Sequence, residues 1–393
     1  MKIFSKSLLV IAGFLLATRL PAEPALKDVF KNDFLIGAAL NPSQFCESNV
    51  AEADIVKTQF SSISPENVLK WGNIHPLPGQ YDFAPADQYV DFGLRNHMFI
   101  VGHTLVWHSQ TPDWVFQDDR GKPLAREQLL ARMRDHISTV VGRYRGKVNG
   151  WDVVNEAVDE NGRLRATPWL KIIGKDYLVK AFQFAHEADP QAELYYNDYG
   201  LENPTKRAGA LTLVKQLQAA GIKITGVGLQ GHYQLSTNSP TLQEVDDTIT
   251  AFARLGVKVM ITELDIDVLP SAWTTRAADV ALREKADVRL NPYTNGLPST
   301  VQAELATRYA GLFGVFLKHR TVIKRVTFWG VADGDSWLND WPVHGRTAYP
   351  LLFDREVKPK LAFETLVKMG GAVRANGTPD QCSQANSGEA DHK

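Results

Sequence analysis

Two glutamates define the chemistry open to this chain. Glu156 closes the run Trp151-Asp152-Val153-Val154-Asn155-Glu156, and Glu263 sits within Ile261-Thr262-Glu263-Leu264-Asp265. Each stands at the end of a short apolar, β-branched segment of the kind that forms a buried strand. Two carboxyl groups converging on one point are what the breaking of a glycosidic bond requires. One protonates the departing oxygen while the other attacks the anomeric carbon or activates water. When one of two neighbouring carboxyls is ionised the other resists ionising, so proximity itself supplies the proton donor. Glu263 is read as the charged member of the pair and Glu156 as the acid.

Other polar residues gather at the ends of similar segments: Glu66, Asn67 and Lys70; His103 and Trp107; Asn197, Asp198 and Tyr199; Gln230 and His232; Asp265; and Trp329. Alternate residues of a strand face the same side. His103 with Trp107, Gln230 with His232, and Glu263 with Asp265 are therefore each expected on one face. An inward His232 together with Asp265 would form a chain that keeps Glu263 charged and oriented. Asn155 and Glu156 are adjacent and cannot both face inward from a regular strand, which predicts that the strand ends or bulges there. Glu66 and Lys70, four apart, suit one helical turn. Other chemistries find little support, for there is no G-x-S-x-G elbow, no H-E-x-x-H and no Cys pair at metal-ligand spacing. A metal site built from Glu66, His103, His232 and Asp265, as in sugar isomerases, is the alternative; no metal and no cofactor are expected.

These residues need a scaffold that brings many strand ends together. Eight strand candidates alternate with helical periodicity, at 34–40, 60–64, 98–107, 148–156, 193–198, 225–232, 258–265 and 326–330. Amphipathic stretches at 126–144, 169–187, 205–220, 242–255, 302–319 and 358–369 fall between or after them. Helix stops are written into Ala188-Asp189-Pro190, Ala220-Gly221 and Leu255-Gly256. Repeated β–α units predict an α/β fold, a single-domain (β/α)8 barrel, whose C-terminal rim carries the site. A doubly wound sheet is the runner-up, and it lacks its G-x-G-x-x-G or P-loop turn. The long connections 266–298 and 331–357 would both stand on that rim.

Of the 393 residues 44% are hydrophobic, enough for one large core. A net charge of −1 without blocks of like charge gives nucleic acid no footprint. Nine Trp residues admit two uses, filling the core or stacking on flat sugar faces. Residues 1–22 carry Lys2 and Lys6 ahead of an apolar run that ends in Leu20-Pro21-Ala22, the pattern of a signal peptide. Its removal would take the net charge from −1 to −4, with Lys2, Lys6 and Arg19 lost. The expected organisation is this leader, a catalytic domain over 23–372 and a polar, disordered tail over 373–393. A secreted or periplasmic monomer, free of the membrane once the leader is cut, follows from that reading. Cys46 and Cys382 are expected to be free thiols.

Taken in order, the motifs resemble those of glycoside hydrolase family 10, the β-1,4-xylanases. They are Ile63-Ser64-Pro65-Glu66-Asn67 with Lys70-Trp71, Gly102-His103-Thr104-Leu105-Val106-Trp107-His108, Trp151 to Ala157, Tyr196-Asn197-Asp198-Tyr199, Gln230-Gly231-His232, Ile261 to Asp265 and Thr327-Phe328-Trp329. The resemblance implies Glu156 as acid/base and Glu263 as nucleophile in a retaining endo-xylanase acting on xylan or xylo-oligosaccharides. It implies that Glu66, Asn67, Lys70, His103 and Trp107 wall the non-reducing side, and that Asn155 meets the sugar 2-hydroxyl. Gln230 and His232 would position the nucleophile, with Trp329 and Trp337 as an aromatic lid. Two departures stand out: Gly200 follows Tyr199 where the family often has Asn, and the 266–298 loop carries Trp273 and Tyr293. The same chemistry on a glucan or mannan backbone, or a non-catalytic sugar-binding barrel, are the competing readings.

Overall fold

The computed structural model describes residues 24–237, 239–271, 283–285 and 287–375. The leader 1–22, Trp273 and Cys382 lie outside the described residues. The described residues form nine strands: β1 (Leu35–Leu40), β2 (Ser62–Pro65), β3 (Phe99–Val106), β4 (Gly150–Asn155), β5 (Glu193–Asp198), β6 (Gly226–Leu229), β7 (His232–Gln234), β8 (Lys258–Asp267) and β9 (Ile323–Phe328). All pairings between these strands are parallel. The sheet closes, since β1 pairs with both β2 and β9 while β8 pairs with both β6 and β9. Its eight staves are the eight expected segments, and the fold is a (β/α)8 barrel. The sixth stave is broken: β6 ends at Leu229, and β7 resumes beside β8 with His232 opposite Asp265. Gly231, at φ +84, turns the chain between the two pieces.

The helices form where the periodicity asked for them. The expected 169–187 helix is in fact two, Pro168–Ile173 and Tyr177–Ala188, because Gly174 at φ +96 ends the first. The helix Pro204–Ala219 starts where Asn203 accepts the amides of Thr205 and Lys206, with Pro204 at its first position. The last helix, Leu361–Ala375, runs three residues past the expected start of the tail at 373. Trp151 of β4 is fully buried, and a Cβ on Gly102 would fall 2.1 Å from its ring. Only glycine lets β3 approach the indole so closely. Trp71 and Trp169 are also core residues, so part of the Trp complement fills the core. Among the described residues no helix is long and apolar enough to cross a membrane.

Candidate active site

The polar cluster stands at the C-terminal ends of the staves. Glu263, 5% exposed on β8, receives Asn197 Nδ2 at 2.7 Å on Oε1 and His232 Nε2 at 3.1 Å on Oε2. His232 Nδ1 lies 3.0 Å from Asp265 Oδ1, and Asp265 Oδ2 accepts from Trp337 Nε1 at 2.7 Å. Both ring nitrogens of His232 thus face carboxylate oxygens, and both can donate only if the ring is an imidazolium. Burial alone would disfavour that charge, but Asp265 and then Glu263 outweigh it and push His232 up to about 10. In return, burial of Glu263 is outweighed by the hydrogen bond from His232, which holds its carboxyl below the usual range.

Glu156 is the first residue beyond β4 and has φ +57. A non-glycine residue in this region costs on the order of 1 kcal/mol, and the surroundings fix it there. Its amide donates to the Asn197 carbonyl at 2.8 Å. Oε2 accepts from Trp107 Nε1 at 2.9 Å, and Oε1 accepts from Gln230 Nε2 at 2.9 Å and Asn155 Nδ2 at 3.2 Å. The strand does end at Asn155, and the left-handed residue after it turns both neighbouring side chains into the site.

Gln230 requires a correction. Its side chain reaches Glu156 and Asn155, and it meets Glu263 only through the main chain, where its carbonyl accepts the Glu263 amide at 2.7 Å. His232 alone of the two contacts the Glu263 carboxylate. The physical reason is the break at Gly231, which interrupts the alternation that linked residues 230 and 232. Alternation also fails along β3, whose pairing with β4 shifts between His103 and Val106. Trp107 and His103 both reach the cluster nonetheless. His103 Nδ1 is 2.9 Å from Asp152 Oδ2, and its ring meets Trp329 edge-on at 5.6 Å.

Around this centre lie the remaining expected residues. Lys70 Nζ donates to Asn67 Oδ1 at 3.0 Å and sits 5.2 Å from the Trp107 ring. Residues 67–70 form a turn closed by the Lys70 amide on the Asn67 carbonyl, 2.9 Å away, and not the helical turn expected from the Glu66–Lys70 spacing. Burial pushes Lys70 down against the pull of Glu263, Glu66 and Glu156, and burial pushes Glu66 up. Trp337 stacks on Trp341 at 4.5 Å and tilts over His232 at 4.9 Å. The metal alternative is not supported by geometry: among the described residues no three His, Cys, Asp or Glu side chains are placed to share an ion.

Asn197 is the residue whose part the sequence did not disclose. Nδ2 donates to Asn155 Oδ1 at 2.9 Å as well as to Glu263, and Thr262 Oγ1 donates to its Oδ1 at 2.6 Å. It joins the surroundings of both glutamates. The Asn197-Asp198-Tyr199 cluster at a strand end was the available signal.

Near Glu66, which feels the charge of Asp335, Glu52 of the helix Val50–Gln59 is buried, and its carboxyl shares Gln44 Nε2 with Asp335 Oδ2, the latter at 2.9 Å. Burial, reinforced by the charge of Asp335, pushes Glu52 from 4.5 up to about 7. As pH rises from 4.5 to 7 the unfolded chain releases a proton that the native state retains, so the native state loses stability across that window. Glu52→Gln keeps the bond from Gln44 and offers an N–H to Asp335. It is expected to stabilise the protein by about 1–3 kcal/mol at pH 8 and by nothing at pH 4, as read by chemical denaturation.

Comparison with known proteins follows the same geometry. Residues 25–369 match the model of glycosyl hydrolase family 10. This chain belongs to glycosyl hydrolase family 10. It is 46% identical over 347 residues to endo-1,4-β-xylanase A of Xylanibacter ruminicola, spanning 88% of this chain and 94% of that protein. It is 43% identical to the endo-1,4-β-xylanase of Geobacillus stearothermophilus, spanning 88% and 98%. A family 10 endoxylanase from a sugarcane soil metagenome superimposes with a TM-score of 0.84 at 45% identity, covering 88% of this chain and all of that one. A second solved relative, a mutant in complex with xylotriose, matches with a TM-score of 0.77 at 36% identity, covering 87% and 99%. The departure expected at Gly200 is conformationally mild. Its φ is +61, a region that glycine and asparagine both enter readily.

Proposed function

We propose that this family 10 hydrolase cleaves internal β-1,4-xylosidic bonds of xylan or xylo-oligosaccharides with net retention, Glu263 acting as nucleophile and Glu156 as acid/base. One observation carries the reading: Glu263 is held as an anion by a doubly donating His232, while Glu156, linked to it through Asn155 and Asn197, is gripped by Trp107 and Gln230. In the first step Glu263 attacks the anomeric carbon, Glu156 gives its proton to the glycosidic oxygen, and the C1–O bond breaks to leave a glycosyl ester on Glu263. In the second, Glu156 takes a proton from water as the water attacks C1, and Glu263 departs. Donors from Trp107, Gln230 and Asn155 stabilise the Glu156 anion between the two steps.

Support for the substrate comes from the relatives, which are endo-1,4-β-xylanases. The wall of Glu66, Asn67, Lys70, His103 and Trp107 fits the hydroxyls and ring faces of the non-reducing sugars. Asn155, lying between the carboxylates, fits the 2-hydroxyl. Trp329, edge-on to both His103 and His232, and Trp337 form an aromatic cover that favours a pentose without a hydroxymethyl arm. Proton NMR of a fresh xylo-oligosaccharide digest is expected to show the β-anomer first, with rates on xylan far above those on cellulose or mannan. A first-formed α-anomer, or rejection of xylan, would refute the reading.

A further inference from the structure

Behind Glu156, on the side away from the substrate wall, lies a buried cluster of charges that the reaction does not use. Asp198, at the end of β5, is fully buried, and Lys206 Nζ lies 2.9 Å from its Oδ1 with only 3% of the lysine side chain exposed. The Lys206 ammonium also sits 3.3 Å from the centre of the Tyr199 ring. Asp198 Oδ1 accepts the Tyr199 amide at 2.9 Å, and Oδ2 accepts the Tyr196 hydroxyl and the Val158 amide, the latter at 3.4 Å. Arg165 completes the grip. Its Nε donates to the Glu156 carbonyl at 3.1 Å, and its Nη2 donates to the Val158 carbonyl and the Tyr199 hydroxyl, each at 3.0 Å.

The segment 156–158 is therefore pinned by one anion and one cation of the same cluster. That matters because Glu156 occupies a backbone conformation it would not hold unaided. Gln230, which grips the Glu156 carboxylate, hangs its own amide on the Asp198 carbonyl at 3.1 Å. Asp198 can serve in this way only while its charge is balanced, for a buried carboxylate without a partner is strongly unfavourable.

We propose that Lys206 is a positioning residue for the reaction: by neutralising Asp198 it holds the turn that carries the acid/base and shields Glu156 from an uncompensated negative charge. The inference rests on the reading of Glu156 as acid/base. Charged and titratable groups facing the pair are few. The charge of Glu156 is felt by Asp198, and that of Asp198 by Arg165 from the loop after β4 and by Tyr177 of the helix packed behind β5. Lys206 is felt by Glu160 and Glu202. On its front side Glu156 is faced by Lys70.

The test compares kcat/KM against pH for aryl xylobiosides with poor and good leaving groups, in Lys206→Met, Asp198→Asn, the double variant and Glu156→Ala. Lys206→Met is expected to lose ~10- to 100-fold on the poor leaving group and little on the good one, since a displaced acid costs only where a proton is needed. Its alkaline limb should move up by ~0.5 pH unit or more, and that of Asp198→Asn should move down. The double variant, which buries no unbalanced charge, should return the limb toward its original position. Equal losses on both substrates, or a limb that stays fixed in the folded variants, would overturn the proposal. Should Lys206→Met fail to fold, the downward shift in Asp198→Asn and its reversal in the double variant decide the matter alone. If Glu156→Ala itself showed no dependence on leaving group, the acid/base reading would fall first. If it showed one while the cluster variants did not, only this inference would fall.

Discussion

Glu263→Ala is expected to abolish turnover, with a loss on the order of 10⁵-fold in kcat, because no other group in the site can form the glycosyl ester. The magnitude follows from how the residue is held. Its two oxygens are aimed by Asn197 and by His232, which is itself fixed by Asp265 and Trp337. A water taking its place would be neither charged nor fixed. The fold should survive the change, since removing Glu263 leaves His232 still paired with Asp265 on its other nitrogen. Steady-state rates on xylo-oligosaccharides, beside a thermal melt that excludes unfolding, check both halves of the expectation.

Glu156→Ala should behave differently, and the difference identifies the role. On xylo-oligosaccharides, whose leaving group is a sugar hydroxyl, kcat/KM is expected to fall by about 10²–10⁴-fold. On an aryl glycoside whose phenolate departs without protonation, kcat/KM should fall little, because the first step no longer needs the acid. The second step still lacks its base, so the intermediate should accumulate and give a burst of phenol followed by a slow steady rate. A uniform loss across leaving groups would mean that Glu156 shapes the site without moving a proton. Three donors converge on this carboxylate, from Trp107, Gln230 and Asn155; alanine removes the acceptor of all three and leaves Gln230 only its long contact of 3.4 Å to Asn155 Oδ1. Some loss common to every substrate will therefore underlie the leaving-group effect.

Much of this arrangement is legible in the sequence. Alternating β-branched runs and helical periods located all eight staves, because in a parallel barrel both strand faces are buried and the runs stand out as apolar. The link between His232, Glu263 and Asp265 followed from two-residue periodicity. What stayed hidden depended on breaks in that periodicity or on contacts between distant parts of the chain. Gln230 was linked to Glu263, whereas the turn at Gly231 sends its side chain to Glu156. Asn197 lies 66 residues from Glu263, and nothing local marks it as their common partner. Lys206, in the first turn of a helix, reads as an exposed cation until packing shows it buried against Asp198. Glu52 and Asp335 come from opposite ends of the sequence and meet only because β1 and β9 are neighbours in the closed barrel.

The central claim is that Glu263, and no other carboxylate, bonds to the sugar. A 2-deoxy-2-fluoro xylobioside with an activated leaving group slows both steps and, with the good leaving group, lets the covalent intermediate accumulate. Mass spectrometry of the trapped protein, followed by proteolysis and fragmentation, locates the sugar. One glycosyl group per chain is expected, on the peptide containing Ile261 to Asp265, with the mass increment at Glu263. An adduct on Glu156 or on any other residue would contradict it.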